Sequence, residues 1–120
     1  MARKSLAYKK RKKKNYPIMN YSTKIEEREY CFSTMEIWNT KSTIATFIEQ
    51  CLRAYKDHDK AGVPWGFEEM DEWNEVIQKM IDAFGILKYG RAPSLNSDEE
   101  NRIAKEGFDL FCKYFHHLWD

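Results

Sequence analysis

Long apolar runs are missing from this chain of 120 residues, and none approaches the roughly 18 residues a membrane span needs, so no membrane partner is expected. Paired cysteine spacing is missing too. The three cysteines, Cys31, Cys51 and Cys112, are an odd number with no CxxC step, which argues against a disulfide frame or a zinc site and reads as reduced, packed thiols. There is no catalytic motif, no internal repeat of useful length and no sustained alternation of apolar and polar residues. Residues 1–14 carry positive charge with no apolar stretch behind it, so they do not read as a secretory signal, and the protein is expected to stay where it is made.

What is present bounds the chain to one small globular body. At this size roughly a third of the unfolded surface stays exposed after folding, so self-association or a bound partner can supply part of the stability. Charge is nearly balanced, with 20 Lys+Arg against 19 Asp+Glu, but it is not evenly spread. Arg3, Lys4, Lys9, Lys10, Arg11, Lys12, Lys13 and Lys14 place eight of the 20 basic residues in the first fourteen positions, with no acid among them. Twelve basic against nineteen acidic residues remain, so the rest of the chain carries net −7. Eight like charges so close together cannot be buried in a small core. Residues 1–16 therefore read as a disordered basic arm, and 17–120 as a single helical domain. Releasing counterions from phosphates gives such an arm affinity for RNA or DNA; a solubilising tail is the other reading. Tyr8 and Tyr16 flank the run and can stack on bases.

No clear period runs through residues 17–33, and residues 24–32 are open between a short helix and an irregular segment. From Ile37 onward the steps of three and four begin. Ile37, Ile44, Phe47, Ile48, Cys51, Leu52 and Tyr55 fall on one helical face, giving a first long helix at about 40–57 with Asn39 as its N-cap. Gly62 and Pro64 mark a loop. Met70, Trp73, Ile77, Met80, Ile81, Phe84 and Leu87 define a second helix at about 69–89, whose opening carboxylates suit the positive end of its macrodipole. Ser97 and Glu100 form a capping box, and Ile103, Ala104, Gly107, Phe108, Phe111, Tyr114, Phe115 and Leu118 define a third helix at about 98–118. The expected fold is all-α, three amphipathic helices in a small bundle, neighbours antiparallel, with Phe111, Tyr114, Phe115, Leu118 and Trp119 anchoring the core.

Chemistry-bearing residues are few. His58, between Asp57 and Asp59, and the consecutive His116 and His117 lack the spacing that fixes a metal, so no metal site, cofactor or catalytic residue is expected. Glu69, Glu72 and Glu75 on the second helix and Glu106 and Asp109 on the third resemble the carboxylate pattern of MazG-type nucleotide pyrophosphohydrolases, in which facing helices hold magnesium. Ordinary surface pairs, Arg102 with Glu106, Asp109 with Lys113 and Glu75 with Lys79, account for the same residues. Trp65 stands in the loop between Gly62 and Gly66, where it either plugs the core or offers a stacking surface. If that loop forms a pocket rim, Trp38 and Trp65 supply rings and Lys41, Arg53, Lys56 and Arg91 the cations for a phosphate ligand.

Trp38 ahead of the first helix, Glu72-Trp73 with Lys79-Met80-Ile81 and Ala83-Phe84 in the second, and the ending Phe111-x-x-Tyr114-Phe115-x-x-Leu118-Trp119-Asp120 resemble a widespread family of small bacteriophage proteins. The likeness spans about residues 35–120 and departs at Thr40-Lys41-Ser42, where the family often has an acidic residue. It implies no reaction, cofactor or catalytic residue. What it implies is a non-enzymatic protein of the host cytoplasm during infection, of a kind that acts by binding: a nucleotide signal or nucleic acid sequestered in counter-defence, or a host enzyme blocked by protein–protein contact. A homo-oligomer fits the same picture.

Overall fold

The computed structural model describes residues 21–119; the basic arm of residues 1–16 lies outside them. Contacts within the chain divide between Trp38 and Asn39 into two units. Ahead of that boundary, β1 (Tyr21–Ile25) and β2 (Arg28–Phe32) pair antiparallel, Ile25 opposite Arg28 and Tyr21 opposite Phe32, followed by the short helix α1 (Thr34–Trp38). The segment left open between helix and irregular chain is thus a hairpin. Its tight turn is Glu26-Glu27, with Glu26 at φ +56°, a conformation usually supplied by Gly or Asn. At the start of α1 the Ser33 amide donates to Glu36 Oε1 (2.8 Å) and the Glu36 amide to Ser33 Oγ (3.1 Å), a reciprocal cap.

The second unit is the predicted bundle: α2 (Thr40–Asp57), α3 (Met70–Leu87) and α4 (Asp98–Tyr114), with 3₁₀ turns at Pro93–Leu95 and Phe115–His117. The last helix is shorter than the apolar pattern suggested, because the chain tightens at Phe115. Asn39 stands at the N-cap of α2 but its side chain accepts no first-turn amide. Ser97 behaves as expected: its hydroxyl accepts from the Glu100 amide (3.0 Å) while Glu100 Oε1 accepts from the Ser97 amide (2.8 Å).

α3 packs against both other long helices, which make little contact with each other. That central position explains why Trp73, Ile77, Met80, Ile81, Ala83 and Phe84 are all buried, while α2 contributes only Ala45, Glu49 and Leu52 at that depth. Both neighbours run antiparallel to it. Tyr55 near the end of α2 meets Trp73 near the start of α3, and Glu49 meets Lys88 at its other end. Similarly Phe111 and Phe108 of α4 lie 5.0 and 6.1 Å from the Phe84 ring, and Tyr114 lies 5.6 Å from Trp73.

Three expectations about the core change. On α2, Ile48, Leu52 and Tyr55 face inward but Ile44, Phe47 and Cys51 are exposed, since a helix touching one neighbour buries a stripe of about 100° and these six residues cover more than that; Ile37 falls in α1 instead. In the C-terminal run Phe111, Tyr114 and Leu118 pack on the core, whereas Phe115 and Trp119 are exposed. All three cysteines are exposed rather than packed, Cys51 and Cys112 lying on the outer faces of α2 and α4.

One close approach fixes α4 against α3. A Cβ at Gly107 would sit 2.2 Å from the Lys79 carbonyl oxygen and 2.4 Å from Ala83 Cβ, so only a hydrogen fits. Gly107→Ala gains up to about 1 kcal/mol of helix propensity. Forcing backbone apart costs more, and we expect a net loss of about 3 kcal/mol or more in urea unfolding. Gly85→Ala, whose Cβ would meet only the Glu49 carboxylate at 3.3 Å, should fall within about 1 kcal/mol of wild type.

Candidate functional site

The loop between α2 and α3 and the end of the chain meet at one end of the bundle. Phe67 folds back between Trp73 (5.4 Å between ring centres) and Tyr114 (5.4 Å), filling the core position that Trp65 was expected to take. Trp65 is therefore turned out and 96% exposed, which corrects the core-plug reading. Gly66, at φ +102°, makes the backbone reversal between the two rings. The tail is tied down by Tyr55, whose hydroxyl donates to the Trp119 carbonyl (3.0 Å) and to that of His117 (3.4 Å) while accepting from Trp73 Nε1 (3.4 Å). Between loop and tail lies an open cleft of about 560 Å³, lined by Tyr55, Val63, Pro64, Trp65, His117 and Trp119 among others. Two of its rings, Trp65 and the 73% exposed Trp119, are presented to solvent.

Lys60 Nζ lies 5.0 Å from the centre of the Tyr55 ring beside the cleft, but Lys41, Lys88 and Arg91 lie farther off. Midway along α2, six residues before Tyr55, Glu49, only 3% exposed, accepts from Lys88 Nζ and Arg53 Nη2, both at 2.9 Å. Lys88 Nζ and Arg91 Cζ each lie 5.6 Å from the centre of the exposed Tyr89 ring, and Arg91 also reaches Glu100 at 3.4 Å. Gly90 follows at φ +67°; a Cβ there would press on Ser42 Oγ at 2.8 Å and Lys41 Cε at 3.2 Å, so Lys41 belongs to the same corner. Four basic side chains around two carboxylates leave this corner net positive.

The structure thus brings Lys41 and Arg91 towards one corner, leaves Arg53 on Glu49 midway along α2, and places Trp65 at the other end. Lys41 precedes Tyr55 of the cleft by fourteen residues on α2, about 21 Å along the axis. Arg53 precedes Tyr55 by two, which turns it about 160° around the helix and onto Glu49. Lys56 is spent on Gln78 at 2.8 Å. Trp38, exposed in α1, belongs to the first unit. A single small pocket built from all of these residues is therefore not what the helices make. The aromatic partners missed from the sequence, Tyr55, His117 and Trp119, carry one signal in hindsight: antiparallel packing returns the end of α4 to the end of α2.

The carboxylates are otherwise engaged. Glu72 accepts the amides of Glu68 (3.0 Å) and Glu69 (3.2 Å) at the start of α3, closing that helix end. Glu106 bridges Lys79 of α3 (3.0 Å) and Arg102 (3.1 Å), and Asp109 pairs with Lys105 (2.8 Å) rather than with the expected Lys113. Lys79 likewise pairs across helices, not with Glu75. Among the described residues no group of three or more His, Cys, Asp or Glu side chains is placed to hold a metal ion, and no helix is long and apolar enough to cross a membrane.

Comparison of the chain with protein-family models, with curated proteins and with solved structures finds no match.

Glu49 gives the basic corner a pH signature. Burial opposes its charge, but the hydrogen bonds and charges of Lys88 and Arg53 outweigh that and hold its carboxyl below the ordinary glutamate value. A lowered folded-state value means that its stabilising contribution is complete above pH of about 5 and is lost as pH falls through the lowered value. Glu49→Ala should cost about 2 kcal/mol at pH 7, and the gap to wild type should narrow in unfolding curves taken below pH of about 4.

Proposed function

We propose that the protein acts by stoichiometric capture of a nucleobase-bearing anion, with no chemistry of its own, and that the occupant is single-stranded nucleic acid rather than a lone nucleotide. The observation that carries this reading is the pair of exposed indoles, Trp65 and Trp119, facing an open cleft backed by Tyr55 and His117. Stacking on such rings contributes about 1–3 kcal/mol per base and needs no particular sequence. Length favours a strand. Lys41, about 21 Å from Tyr55 along α2, lies farther from the cleft than the phosphate of one nucleotide lies from its base, but within reach of a few linked ones. The described body is acidic overall, so long-range attraction for phosphate falls to Lys9, Lys10, Arg11, Lys12, Lys13 and Lys14 with Arg3 and Lys4.

The likeness to small bacteriophage proteins suggests where such capture is used: in the host cytoplasm during infection, sequestering nucleic acid or a nucleotide signal of host defence. The acidic body supports a second reading, a decoy that blocks a host nucleic-acid-binding enzyme by resembling its substrate.

Calorimetric titration with a short oligodeoxythymidylate at low salt checks the proposal. Wild type should bind; Trp65→Ala should weaken binding about tenfold, in line with one lost stack, without changing thermal stability. Removing residues 1–14 should flatten the dependence of affinity on salt. Full-length protein that binds no oligonucleotide at low salt, or that releases pyrophosphate from a nucleoside triphosphate with magnesium, would overturn the reading.

A further inference from the structure

Helix α2 has two apolar faces where a bundle helix with one neighbour needs one. Its inner face is Ala45, Ile48, Leu52 and Tyr55; its outer face presents Ile44, Phe47, Cys51 and Ala54 to solvent, with Phe47 58% exposed. These four recur at steps of three, four and three, the a/d spacing of a coiled-coil seam. Gln50 beside them is uncharged, and between Lys41 and Arg53 the only charged residue is Glu49, which points inward to Lys88. The solvent face of α4 is the contrast: Glu99, Arg102, Lys105, Glu106 and Asp109 cover it with ion pairs. Exposed apolar helix faces that stay uncharged over about three turns mark contact surfaces.

We infer that this seam is a self-association surface, on which α2 of a second copy of the chain lies antiparallel. The order of residue sizes along the seam selects that occupant and that direction. Bulk is concentrated in the first half, Ile44 and Phe47, and small side chains in the second, Cys51 and Ala54. An antiparallel pair centred on position 49 sets Phe47 against the partner's Cys51 and Ile44 against the partner's Ala54, large on small, twice by symmetry. A parallel pair would oppose Phe47 to Phe47. From Ile44 to Ala54 the seam covers eleven residues and about 15 Å, a short contact, so the dimer forms and dissociates with concentration. Neither the aromatic cleft nor the basic arm is needed for this contact, which stands independently of the proposed ligand.

Sedimentation equilibrium of the full chain over a range of concentrations tests it. The average mass should climb from 14.4 kDa towards twice that value, and Phe47→Glu, a change at an exposed position, should hold it at 14.4 kDa with unchanged helix content by circular dichroism. Phe47→Cys in a Cys31→Ser/Cys112→Ser background should yield a disulfide-linked dimer on mild oxidation, and adding Cys51→Ser should abolish it. A monomer mass at every concentration, a dimer indifferent to Phe47→Glu, or a crosslink that survives Cys51→Ser would each overturn the inference.

Discussion

Contact between the Gly107 backbone and the Lys79 carbonyl is the constraint around which the helical unit is arranged. It lets α4 approach α3 more closely than any side chain would allow, and the aromatic rings follow from that distance. Phe84 then meets Phe111 and Phe108 on one side of the contact, and Trp73 meets Tyr114 on the other, each at ring separations of 5.0–6.1 Å. With α2 closing the opposite flank, α3 has no outward face from Trp73 to Phe84 except Glu75, Lys79 and Asp82. Two polar groups enter this interior with partners. Glu49 is held by two cations, and the Trp73 indole N–H is satisfied by the Tyr55 hydroxyl.

The candidate site grows from the same packing. Because Phe67 and Tyr114 complete the cage around Trp73, no room remains for a second tryptophan, and Trp65 is left outside on a glycine-flanked turn. Because Tyr55 satisfies Trp73 with one side of its hydroxyl, its proton is available for the tail carbonyls, which brings Trp119 to the same rim. The cleft is thus a by-product of how one buried indole is capped. At the far end the antiparallel turn from α3 into the 3₁₀ segment Pro93–Leu95 gathers Lys88, Tyr89 and Arg91 against the start of α2. Lys41 of this corner lies about 21 Å along α2 from Tyr55 of the cleft, a separation that suits an extended ligand.

The helices were legible in the sequence because three-and-four spacing and the Ser97–Glu100 box are local signals, and the observed ranges of α2 and α3 follow them within two residues. The hairpin was not, since its turn is Glu26-Glu27 with no glycine or asparagine to announce it, and β2 is mostly exposed. Periodicity alone also over-counted the core. Ile44, Phe47 and Cys51 obey the helical step as well as Ile48 and Leu52 do, and only the number of packing neighbours decides which stripe is buried. Glu49 carried a readable signal: it falls between Ala45 and Leu52 on the inner face, four residues before Arg53. For the site, residue types in a loop told that Trp65 mattered but not which way it faces. That required knowing that Phe67 takes the core position.

The four tryptophans offer the most direct test of the account, since they occupy three different places: Trp73 in the core, Trp65 and Trp119 on the cleft, and Trp38 in the first unit. Their indole N–H signals can be followed by two-dimensional NMR while a short oligodeoxythymidylate is titrated into the full chain. The account predicts large, saturating shifts for Trp65 and Trp119 and almost none for Trp73. Binding that leaves both cleft indoles unmoved would contradict it.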